Sequence, residues 1–318
     1  THIRSFLQYD HSHLLIGADD GLYLFNTINK DCKRMDVPYY RYSIGDQNVY
    51  SMLRDREGGI WVGTYFGGIN YLNTFTMHME CYFPNNQQVF LSGKAVSQFC
   101  EDESGKLWIA TEDGGLNYFN TRTKEISQPV QTSYHNIHPL LIIDNELWIG
   151  TFSRGLDVYN LKTKQIRNYS NDPNDPNSIN DDCIFSIYQT GNGDIYVGTT
   201  MGLNKYNRRS DNFSRIESDS ISFVYDMKED SYHNLWIASN TKGVIKWDAK
   251  KSRWIYYSEI LDENDPLVNC RLNGIYIDGQ KRIWFSSEGK GVFLYDYEYD
   301  SFRNISEKDG LPNDVVYG

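Results

Sequence analysis

Five acidic residues stand in short, glycine-containing segments where they could take part in chemistry: Asp19, Asp20, Glu112, Asp113 and Glu288. Glycosidases need two carboxylates that face one cavity, and lyases need a base beside an acid. The same residue types are expected in solvated turns of a chain whose formal net charge is −11. We therefore predict no catalytic residue, and we retain Glu112 and Asp113 as candidate ligand contacts.

Two segments carry donor atoms that a metal ion could use. His135 and His138 are three positions apart, and on a strand this offset points the two side chains to opposite faces. Residues 171–177, with the sequence NDPNDPN, are rich in oxygen donors. They lack the glycine and the terminal glutamate of an EF-hand loop, and their two prolines favour a stiff turn. We predict neither a metal nor another cofactor.

Aromatic and basic side chains suggest a third chemistry, the binding of sugars. Aromatic rings stack on the C–H faces of sugars, while amides, carboxylates and arginines bind the hydroxyl groups. Besides the two acids, the candidate contacts are Tyr65, Phe66, Phe152, Arg154, Lys242 and Lys290. Further residues of the same class are Tyr39, Tyr40, Arg41, Tyr42 and Phe90. The alternative is that these aromatic residues pack against a neighbouring domain or close loops over the core. The basic residues favour an anionic ligand, such as a uronate or a sulfated sugar.

One sequence pattern recurs seven times along the chain, and it indicates where in the fold the candidate residues lie. A core of aromatic and aliphatic residues is followed about seven residues later by glycine, and then by a large apolar residue, usually aromatic, with Asn or Asp after it. The seven cores begin at Leu15, Trp61, Trp108, Trp148, Tyr196, Trp236 and Trp284. Their mean spacing is about 45 residues, and repeats of that length built from short β-runs are typical of propeller blades.

Each repeat supplies four short strands. In the second repeat these are Val49–Leu53, Ile60–Thr64, Ile69–Leu72 and residues 77–83. The inner strands of the seven repeats are predicted to begin at Ile3, Val49, Val96, Ile137, Ile184, Val224 and Leu272. The sequence therefore predicts an all-β fold, a seven-bladed propeller over residues 1–307 with four antiparallel strands in each blade.

Antiparallel strands sort the connections into two faces. The first face holds the glycine-rich hairpins between the second and third strands, together with the long loops 36–48, 84–94, 170–182 and 258–269 that lead into inner strands. The second face holds the Asp-x-x-Gly turns and the turns after Asn or Asp. Recognition in propellers is expected at long loops, so we expect ligand contacts on the first face.

Composition excludes several classes of protein. An acidic chain repels a phosphate backbone, so we expect no nucleic-acid partner. No apolar run approaches the ~18 residues of a membrane-spanning helix. The five cysteines are odd in number and contain no CxxC pair, which argues against a disulfide framework or a zinc ribbon. We expect them to be small buried residues on strands.

The repeat resembles the two-component regulator propeller repeat, whose pattern is roughly D-x-x-G-x-L-W-I-G-T-x-x-G-G-L-x-x-Y-N. The segment from Glu101 to Asn120, EDESGKLWIATEDGGLNYFN, is a nearly complete copy, and the resemblance covers the whole chain. Three repeats depart from the pattern: Leu15 and Tyr196 stand where tryptophan is usual, and Asp144-Asn145 forms a shortened turn.

This resemblance implies a role in sensing. Such repeats are characteristic of the extracytoplasmic regions of Bacteroides-type hybrid two-component histidine kinases, which typically answer to oligosaccharides. It implies a periplasmic, ligand-sensing propeller without activity of its own, in a parent that is a sensor histidine kinase. Its implied partners are an oligosaccharide, other domains of the same chain and a second copy in a homodimer. The alternatives are a propeller enzyme, a glycoside hydrolase or lyase acting on polysaccharide, and a protein-interaction scaffold.

The last residues suggest that the repeat continues. Residues 308–318 are interpreted as the start of a further blade or as a linker to another domain, because Val315-Val316-Tyr317 repeats the phase of an inner strand. We expect the chain to be a piece of a longer protein. We also expect Leu311 to Gly318 to be loosely packed or held by a neighbouring molecule.

Overall fold

Seven four-stranded antiparallel sheets make up the computed structural model, which describes residues 2–35, 44–72, 79–82, 91–216, 218, 220–268 and 270–316. Each sheet is one blade of a seven-bladed β-propeller, and consecutive strands pair within it. The predicted fold class is confirmed. The chain forms two compact units, residues 1–144 and 145–318.

The strands of the first three blades all lie in the first unit. Blade 1 consists of β1 (Ile3–Gln8), β2 (His13–Ala18), β3 (Gly21–Asn26) and β4 (Cys32–Arg34). Blade 2 consists of β5 (Val49–Arg54), β6 (Ile60–Thr64), β7 (Ile69–Leu72) and β8 (Met79–Tyr82). Blade 3 consists of β9 (Val96–Glu101), β10 (Leu107–Thr111), β11 (Gly115–Asn120) and β12 (Glu125–Ser127).

The remaining four blades follow the same order. Blade 4 consists of β13 (Ile137–Ile143), β14 (Glu146–Thr151), β15 (Leu156–Asn160) and β16 (Ile166–Tyr169). Blade 5 consists of β17 (Ile184–Gln189), β18 (Ile195–Thr199), β19 (Gly202–Asn207) and β20 (Asn212–Ile216). Blade 6 consists of β21 (Val224–Glu229), β22 (Leu235–Ser239), β23 (Gly243–Asp248) and β24 (Arg253–Tyr256). Blade 7 consists of β25 (Leu272–Ile277), β26 (Ile283–Ser287), β27 (Val292–Asp296) and β28 (Ser301–Ile305).

Helix is confined to two short segments in the part of the chain that the structure describes. These are α1 (Tyr257–Ile260) and a 3-10 turn at Glu307–Asp309. No helix among the described residues has the length and apolar character needed to cross a membrane. All seven inner strands begin at the predicted residues.

In three blades the aspartate of the turn between the first and second strands accepts a hydrogen bond from a tryptophan indole. In blade 2 the backbone N–H of Gly59 donates to Asp55 Oδ1 (2.7 Å), and Trp61 Nε1 donates to Asp55 Oδ2 (2.8 Å). Asp230 and Asp278 accept the indole N–H of Trp236 (2.7 Å) and Trp284 (3.0 Å) in the same way. In these three blades the turn supplies the acceptor that the indole N–H needs. In blade 3 the turn aspartate, Asp102, accepts the hydroxyl of Tyr118 instead (2.6 Å).

Five of the seven residues that begin the repeat cores are buried: Leu15, Trp61, Trp108, Trp148 and Trp236. Tyr196 and Trp284 are only half-buried. A long cationic side chain covers each of these two rings instead: Lys205 Nζ lies 5.8 Å from the Tyr196 ring centre and Arg282 Cζ lies 5.3 Å from that of Trp284.

Neighbouring blades approach each other most closely at the glycine of the second strand. A Cβ atom on Gly63 would lie 2.6 Å from Ser51 Oγ and 2.9 Å from Val96 Cγ1, the first side chain of the next inner strand. A Cβ atom on Gly198 would lie 2.3 Å from Ser186 Oγ and 2.5 Å from Val224 Cγ1. These distances are far below ordinary carbon contacts, so only a very small residue fits here.

Inner strands carry a bulge at their second residue. In blade 2, Val49 pairs with Thr64 and Ser51 pairs with Gly63, so Tyr50 has no partner residue across the ladder. The same skip occurs in blades 1, 3, 5, 6 and 7. The skipped residues are Arg4, Tyr50, Ser97, Phe185, Tyr225 and Asn273. A bulge re-aims a side chain, and bulges are common beside functional sites.

The end of the chain is packed rather than loose, which corrects the expectation for residues 311–316. The N–H of Val316 donates to Ser287 O (2.7 Å), and the N–H of Gly291 donates to Asp314 O (2.6 Å). Val316 is fully buried. In blade 4 the equivalent N–H group, that of Gly155, donates to the carbonyl of Asp182, which lies two residues before the next inner strand. The last residues of the chain supply the same kind of partner to the hairpin of blade 7, whose backbone groups would otherwise lack one. Residues 317 and 318 lie outside the described residues.

The cysteines differ from expectation in their burial. Cys32 and Cys100 lie on strands and are half-buried, whereas Cys183 directly precedes an inner strand and Cys270 lies two residues before one. Only Cys270 is fully buried among the four whose side chains the structure describes. All four are free thiols, and burial raises the pKa of Cys100 and Cys270 to about 11.

Trp108 tests the core of a blade. Replacing it with alanine should lower the free energy of unfolding by ~3 kcal/mol or more, because this indole is 3% exposed and its loss leaves a large cavity. Urea denaturation followed by circular dichroism measures the change. A loss below about 1 kcal/mol, typical of surface positions, would contradict the buried placement.

Gly198 tests the close approach between blades 5 and 6. Gly198→Val should destabilise the protein by about 2–3 kcal/mol, because the new side chain collides with Ser186 and Val224. The control is Met201→Val in the adjacent hairpin, where the side chain is 68% exposed and a change within ~0.5 kcal/mol is expected. Equal effects of both substitutions on the urea midpoint would show that the glycine is not crowded.

Asp211 tests the electrostatic contribution of the turn between β19 and β20. The hydroxyls of Tyr169 and Tyr206 each donate to Asp211 Oδ1 (2.5 Å) and hold the pKa of this carboxyl below its usual value. A lowered folded-state pKa stabilises the fold above the unfolded-state pKa of ~3.9, and that stability is lost as the pH falls through the folded value. The stability difference between wild type and Asp211→Asn should therefore shrink from pH 6 towards pH 2. Glu263→Gln, an exposed acid in the loop after α1, should leave the pH profile unchanged; a constant difference for Asp211→Asn would refute the assignment.

Candidate functional site

The eight predicted ligand contacts all lie in hairpins between second and third strands. Tyr65, Phe66, Glu112 and Asp113 belong to the first unit, in the β6–β7 and β10–β11 hairpins. Phe152, Arg154, Lys242 and Lys290 belong to the second unit, in the β14–β15, β22–β23 and β26–β27 hairpins. In each hairpin, the threonine or serine that ends the second strand stabilises the turn through hydrogen bonds of its hydroxyl group. Thr111 Oγ1, for example, donates to Gly115 O (2.8 Å). Tyr39, Tyr40, Arg41, Tyr42 and Phe90 lie outside the described residues.

The two predicted acids of blade 3 have different roles. Asp113 Oδ1 accepts the backbone N–H groups of Lys94 (2.8 Å) and Ala95 (3.1 Å), so this carboxylate holds the loop before β9. Glu112 Oε1 instead accepts the hydroxyl of Tyr50 (2.8 Å) from the neighbouring inner strand. Asp113 is therefore a structural residue, while Glu112 faces the side chain of Tyr50, which lies in a β-bulge.

Blade 1 contributes a charged group beside Tyr50. Arg4 Cζ lies 4.9 Å from the centre of the Tyr50 ring, and Arg4 Nε donates to Asp19 Oδ1 (2.5 Å). His2 Nδ1 lies 3.0 Å from the other oxygen of Asp19. Asp19 was considered as a catalytic carboxylate, but both of its oxygens are engaged by basic neighbours.

A histidine occupies the second position of β13. Burial lowers the pKa of His138, while the charge of Glu112 opposes that shift. The imidazole is therefore neutral at neutral pH. Tyr50, Glu112 and His138 together present a hydroxyl, a carboxylate and a neutral imidazole in the first unit, which is a set of groups able to exchange protons or to bind sugar hydroxyls.

Aromatic rings of the second unit converge on one cluster. The Phe152 and Phe185 ring centres are 6.1 Å apart, Phe185 and Phe223 are 4.8 Å apart, and Phe185 and Tyr225 are 5.5 Å apart. Phe152 is 42% exposed and the other three rings are half-buried. We call Phe152, Phe185, Phe223 and Tyr225 the aromatic platform.

Phe223 is held in an unusual backbone conformation. Its φ is +43°, a left-handed value that is rare for a bulky side chain. The backbone compensates with two hydrogen bonds: the N–H of Phe223 donates to Thr200 O (2.8 Å), and the N–H of Asn240 donates to Phe223 O (3.0 Å). Strain of this kind concentrates at functional sites, which is consistent with a role for the platform.

Basic residues in the second-unit hairpins are accessible. Arg154 and Lys290 are exposed and Lys242 is half-buried. Their backbones are fixed, because the N–H of Arg154, Lys242 and Lys290 donates to Thr151 Oγ1 (3.0 Å), Ser239 Oγ (2.9 Å) and Ser287 Oγ (3.1 Å). Glu288, the one of the five candidate acids that lies in the second unit, is 3.4 Å from Arg271. These hairpins therefore present positive charge on a rigid backbone.

The oxygen-rich segment 171–177 is organised around an arginine. Arg215 donates to the carbonyl groups of Asp172 (3.2 Å), Asp175 (3.0 Å) and Ser178 (3.1 Å). A guanidinium therefore lies where a calcium ion would need those carbonyl oxygens. Among the described residues, no group of three or more His, Cys, Asp and Glu side chains could hold a metal ion.

A surface cleft of about 300 Å³ adjoins the β10–β11 hairpin. It is lined by Gly114, Gly115, Leu116, Gln128, Val130, Gln131, Thr132 and His135. None of the eight predicted contacts lines this cleft, so it is separate from the groups described above.

Sequence reasoning missed Arg4, Tyr50, His138, Phe185, Phe223 and Tyr225 as site residues. Five of them are second residues of inner strands, and Phe223 directly precedes one. The sequence did contain a signal for these residues. The second residue of the inner strand differs in type from blade to blade, for example arginine in blade 1 and phenylalanine in blade 5, although the first residue is always aliphatic. An apolar run predicts a buried strand, however, and does not reveal a bulge.

Three segments of the chain, residues 43–66, 91–113 and 178–201, match the family model described as two component regulator propeller. The structure is similar to the extracellular domain of the putative hybrid two component system BT3049 from B. thetaiotaomicron, with 21% identity and a TM-score of 0.75 over 92% of this chain and 39% of that chain. It is also similar to the extracellular domain of the putative hybrid two component system BT4673 from B. thetaiotaomicron, with 17% identity and a TM-score of 0.65 over 96% of this chain and 48% of that chain.

A virginiamycin B lyase from Staphylococcus aureus has a similar fold, with 12% identity and a TM-score of 0.67 over 92% of this chain and 94% of that chain. At these identities each likeness shows the fold alone. No curated protein matches the chain in sequence. The chain spans less than half the length of the two extracellular domains.

Proposed function

Because the chain carries two component regulator propeller repeats, we propose that it is the ligand-sensing propeller of a hybrid two-component sensor and that its ligand is an oligosaccharide. The resemblance of the fold to extracellular domains of such systems supports the sensing role. The ligand class rests on the aromatic platform.

The platform suits a sugar for physical reasons. Its rings offer a continuous apolar surface within ring-centre distances of 4.8 to 6.1 Å, and such surfaces bind the C–H faces of sugars. Phe185 and Tyr225 lie on strands, so little conformational entropy is lost when a ligand binds. The nearby hairpin residue Arg154 can bind hydroxyl, carboxylate or sulfate groups through its guanidinium.

We infer that this propeller lies outside the cytoplasm, in the periplasm, as part of a membrane-bound sensor kinase. The extracellular character of the two similar sensor domains supports this localisation. Since the chain spans only part of their length, other domains of the same sensor chain are its expected partners, and a homodimer is a further one.

A propeller enzyme acting on polysaccharide is the second candidate function. The observation that favours it is the grouping of Tyr50, Glu112 and His138, with the Tyr50 hydroxyl 2.8 Å from Glu112 and a neutral imidazole at His138. A base beside an acid is the minimum for a lyase. Incubation with a polysaccharide panel, followed by assay for new reducing ends and unsaturated products, separates an enzyme from a sensor, because a sensor leaves the polymers intact.

The platform can be tested by calorimetric titration with neutral, uronate-containing and sulfated oligosaccharides. Phe152→Ala and Tyr225→Ala should each weaken binding about tenfold, because each removes a stacking face. Arg154→Ala should weaken the binding of the anionic oligosaccharides more than that of the neutral ones.

The matched control is Tyr232→Ala, which removes a ring that is 65% exposed on the second face of the same unit. It should leave every dissociation constant unchanged. If the panel binds wild type but both platform variants bind with wild-type affinity, the proposed site is wrong.

A further inference from the structure

The acids of the first-unit hairpins can be sorted by what their oxygens bind. Asp19 is engaged by Arg4 (2.5 Å) and His2 (3.0 Å), and Asp113 holds backbone N–H groups of the loop before β9. Glu112 uses Oε1 to accept the Tyr50 hydroxyl, and among the described residues its Oε2 has no hydrogen-bond partner. Of these three acids, Glu112 therefore has a carboxylate oxygen left for a ligand.

Two further aromatic rings extend from Tyr50, whose hydroxyl binds this carboxylate. The ring centres of Tyr50 and Tyr65 are 5.8 Å apart, and those of Tyr65 and Phe66 are 4.4 Å apart in an edge-to-face arrangement. Phe66 is 65% exposed and Tyr65 is half-buried. A carboxylate next to electron-rich ring faces is the combination that binds organic cations.

The basic groups near Glu112 do not cancel its charge. Arg4 stacks on the Tyr50 ring at 4.9 Å, but its guanidinium is paired with Asp19. His2 is also bound to Asp19. Burial lowers the pKa of His138 and keeps its imidazole neutral at neutral pH. The site as a whole therefore retains a negative charge beside its rings.

We propose that Glu112, Tyr50, Tyr65 and Phe66 form a subsite for the protonated primary amino group of an amino sugar. The ammonium donates to Glu112 Oε2 in a charge-assisted hydrogen bond, and the ring faces of Tyr65 and Phe66 attract the cation and cover the sugar. This inference rests on the proposed function, because it names a ligand class for the first face, but it concerns the first unit and not the aromatic platform.

The test is titration of the whole chain at neutral pH with glucosamine, N-acetylglucosamine, glucose and ethanolamine. Glucosamine should bind at least about tenfold more tightly than glucose or N-acetylglucosamine, because only its amino group is charged. Ethanolamine should bind more weakly than glucosamine, because it lacks a ring to cover the aromatic faces. Raising the salt concentration should weaken the binding of glucosamine.

Three variants assign the effect to the site. Glu112→Gln keeps the size of the side chain and should remove the preference for glucosamine, and Tyr65→Leu keeps apolar bulk without a ring and should reduce it. Glu103→Gln, an exposed acid in the same blade on the second face, is the matched control and should bind as wild type does. Thermal unfolding of each variant confirms that it is folded.

Equal affinity for glucosamine and glucose, or an unchanged preference in Glu112→Gln, overturns the inference. Ethanolamine binding as tightly as glucosamine overturns the assignment to a sugar. If neutral oligosaccharides bind through Phe152 and Tyr225 while glucosamine does not bind, the proposed function stands and this subsite is wrong. If glucosamine binds through Glu112 but no oligosaccharide depends on the platform, the subsite stands and the proposed platform is wrong.

Discussion

The contact between one blade and the next depends on a very small residue at one position of the second strand. Val96 and Val224, the first residues of their inner strands, lie against Gly63 and Gly198 of the preceding blades at distances that leave no room for a Cβ atom. The equivalent positions of blades 3, 6 and 7 carry Ala110, Ala238 and Ser286, which are also small. This steric limit accounts for the small residue that follows Trp-Ile or Trp-Val in the repeat.

The residue directly before this crowded pair, in the bulge of the inner strand, is available for the proposed recognition. In blade 5, Ser186 pairs with Gly198, and the bulge that precedes this pair removes Phe185 from the ladder. A residue in a bulge has no partner residue across the ladder, so its type is not set by pairing with the second strand. The residues at this position, from Arg4 and Tyr50 to Tyr225 and Asn273, accordingly differ in size and charge, whereas the first residue of every inner strand is a buried aliphatic side chain.

Sequence predicts the blades well because its signals are local. Strand starts follow from the spacing of buried aliphatic residues, and the Asp-x-x-Gly turn is marked by residues that bond within six positions, as Asp55 and Trp61 do. The roles of individual polar residues depend on long-range partners and could not be predicted. Asp113 binds backbone 18 and 19 positions away, and the calcium-like segment 171–177 is satisfied by Arg215, some 40 positions along the chain. The packing of Val316 on Ser287 is equally non-local.

The aromatic rings of the proposed site are held rigidly by the fold. Phe185 and Tyr225 are carried by inner strands, and the β14–β15 hairpin that carries Phe152 is fixed by Thr151, whose hydroxyl donates to Gly155 O (2.7 Å) and accepts the N–H of Arg154 (3.0 Å). The rings are therefore in place before a ligand arrives, so in the proposed site they are expected to provide affinity without much ordering. They cannot discriminate strongly between sugars, because stacking is tolerant of hydroxyl configuration. In the proposed platform site, discrimination is expected to come from the polar group at the hairpin tip, Arg154, because a ligand that leaves its guanidinium unsatisfied is penalised.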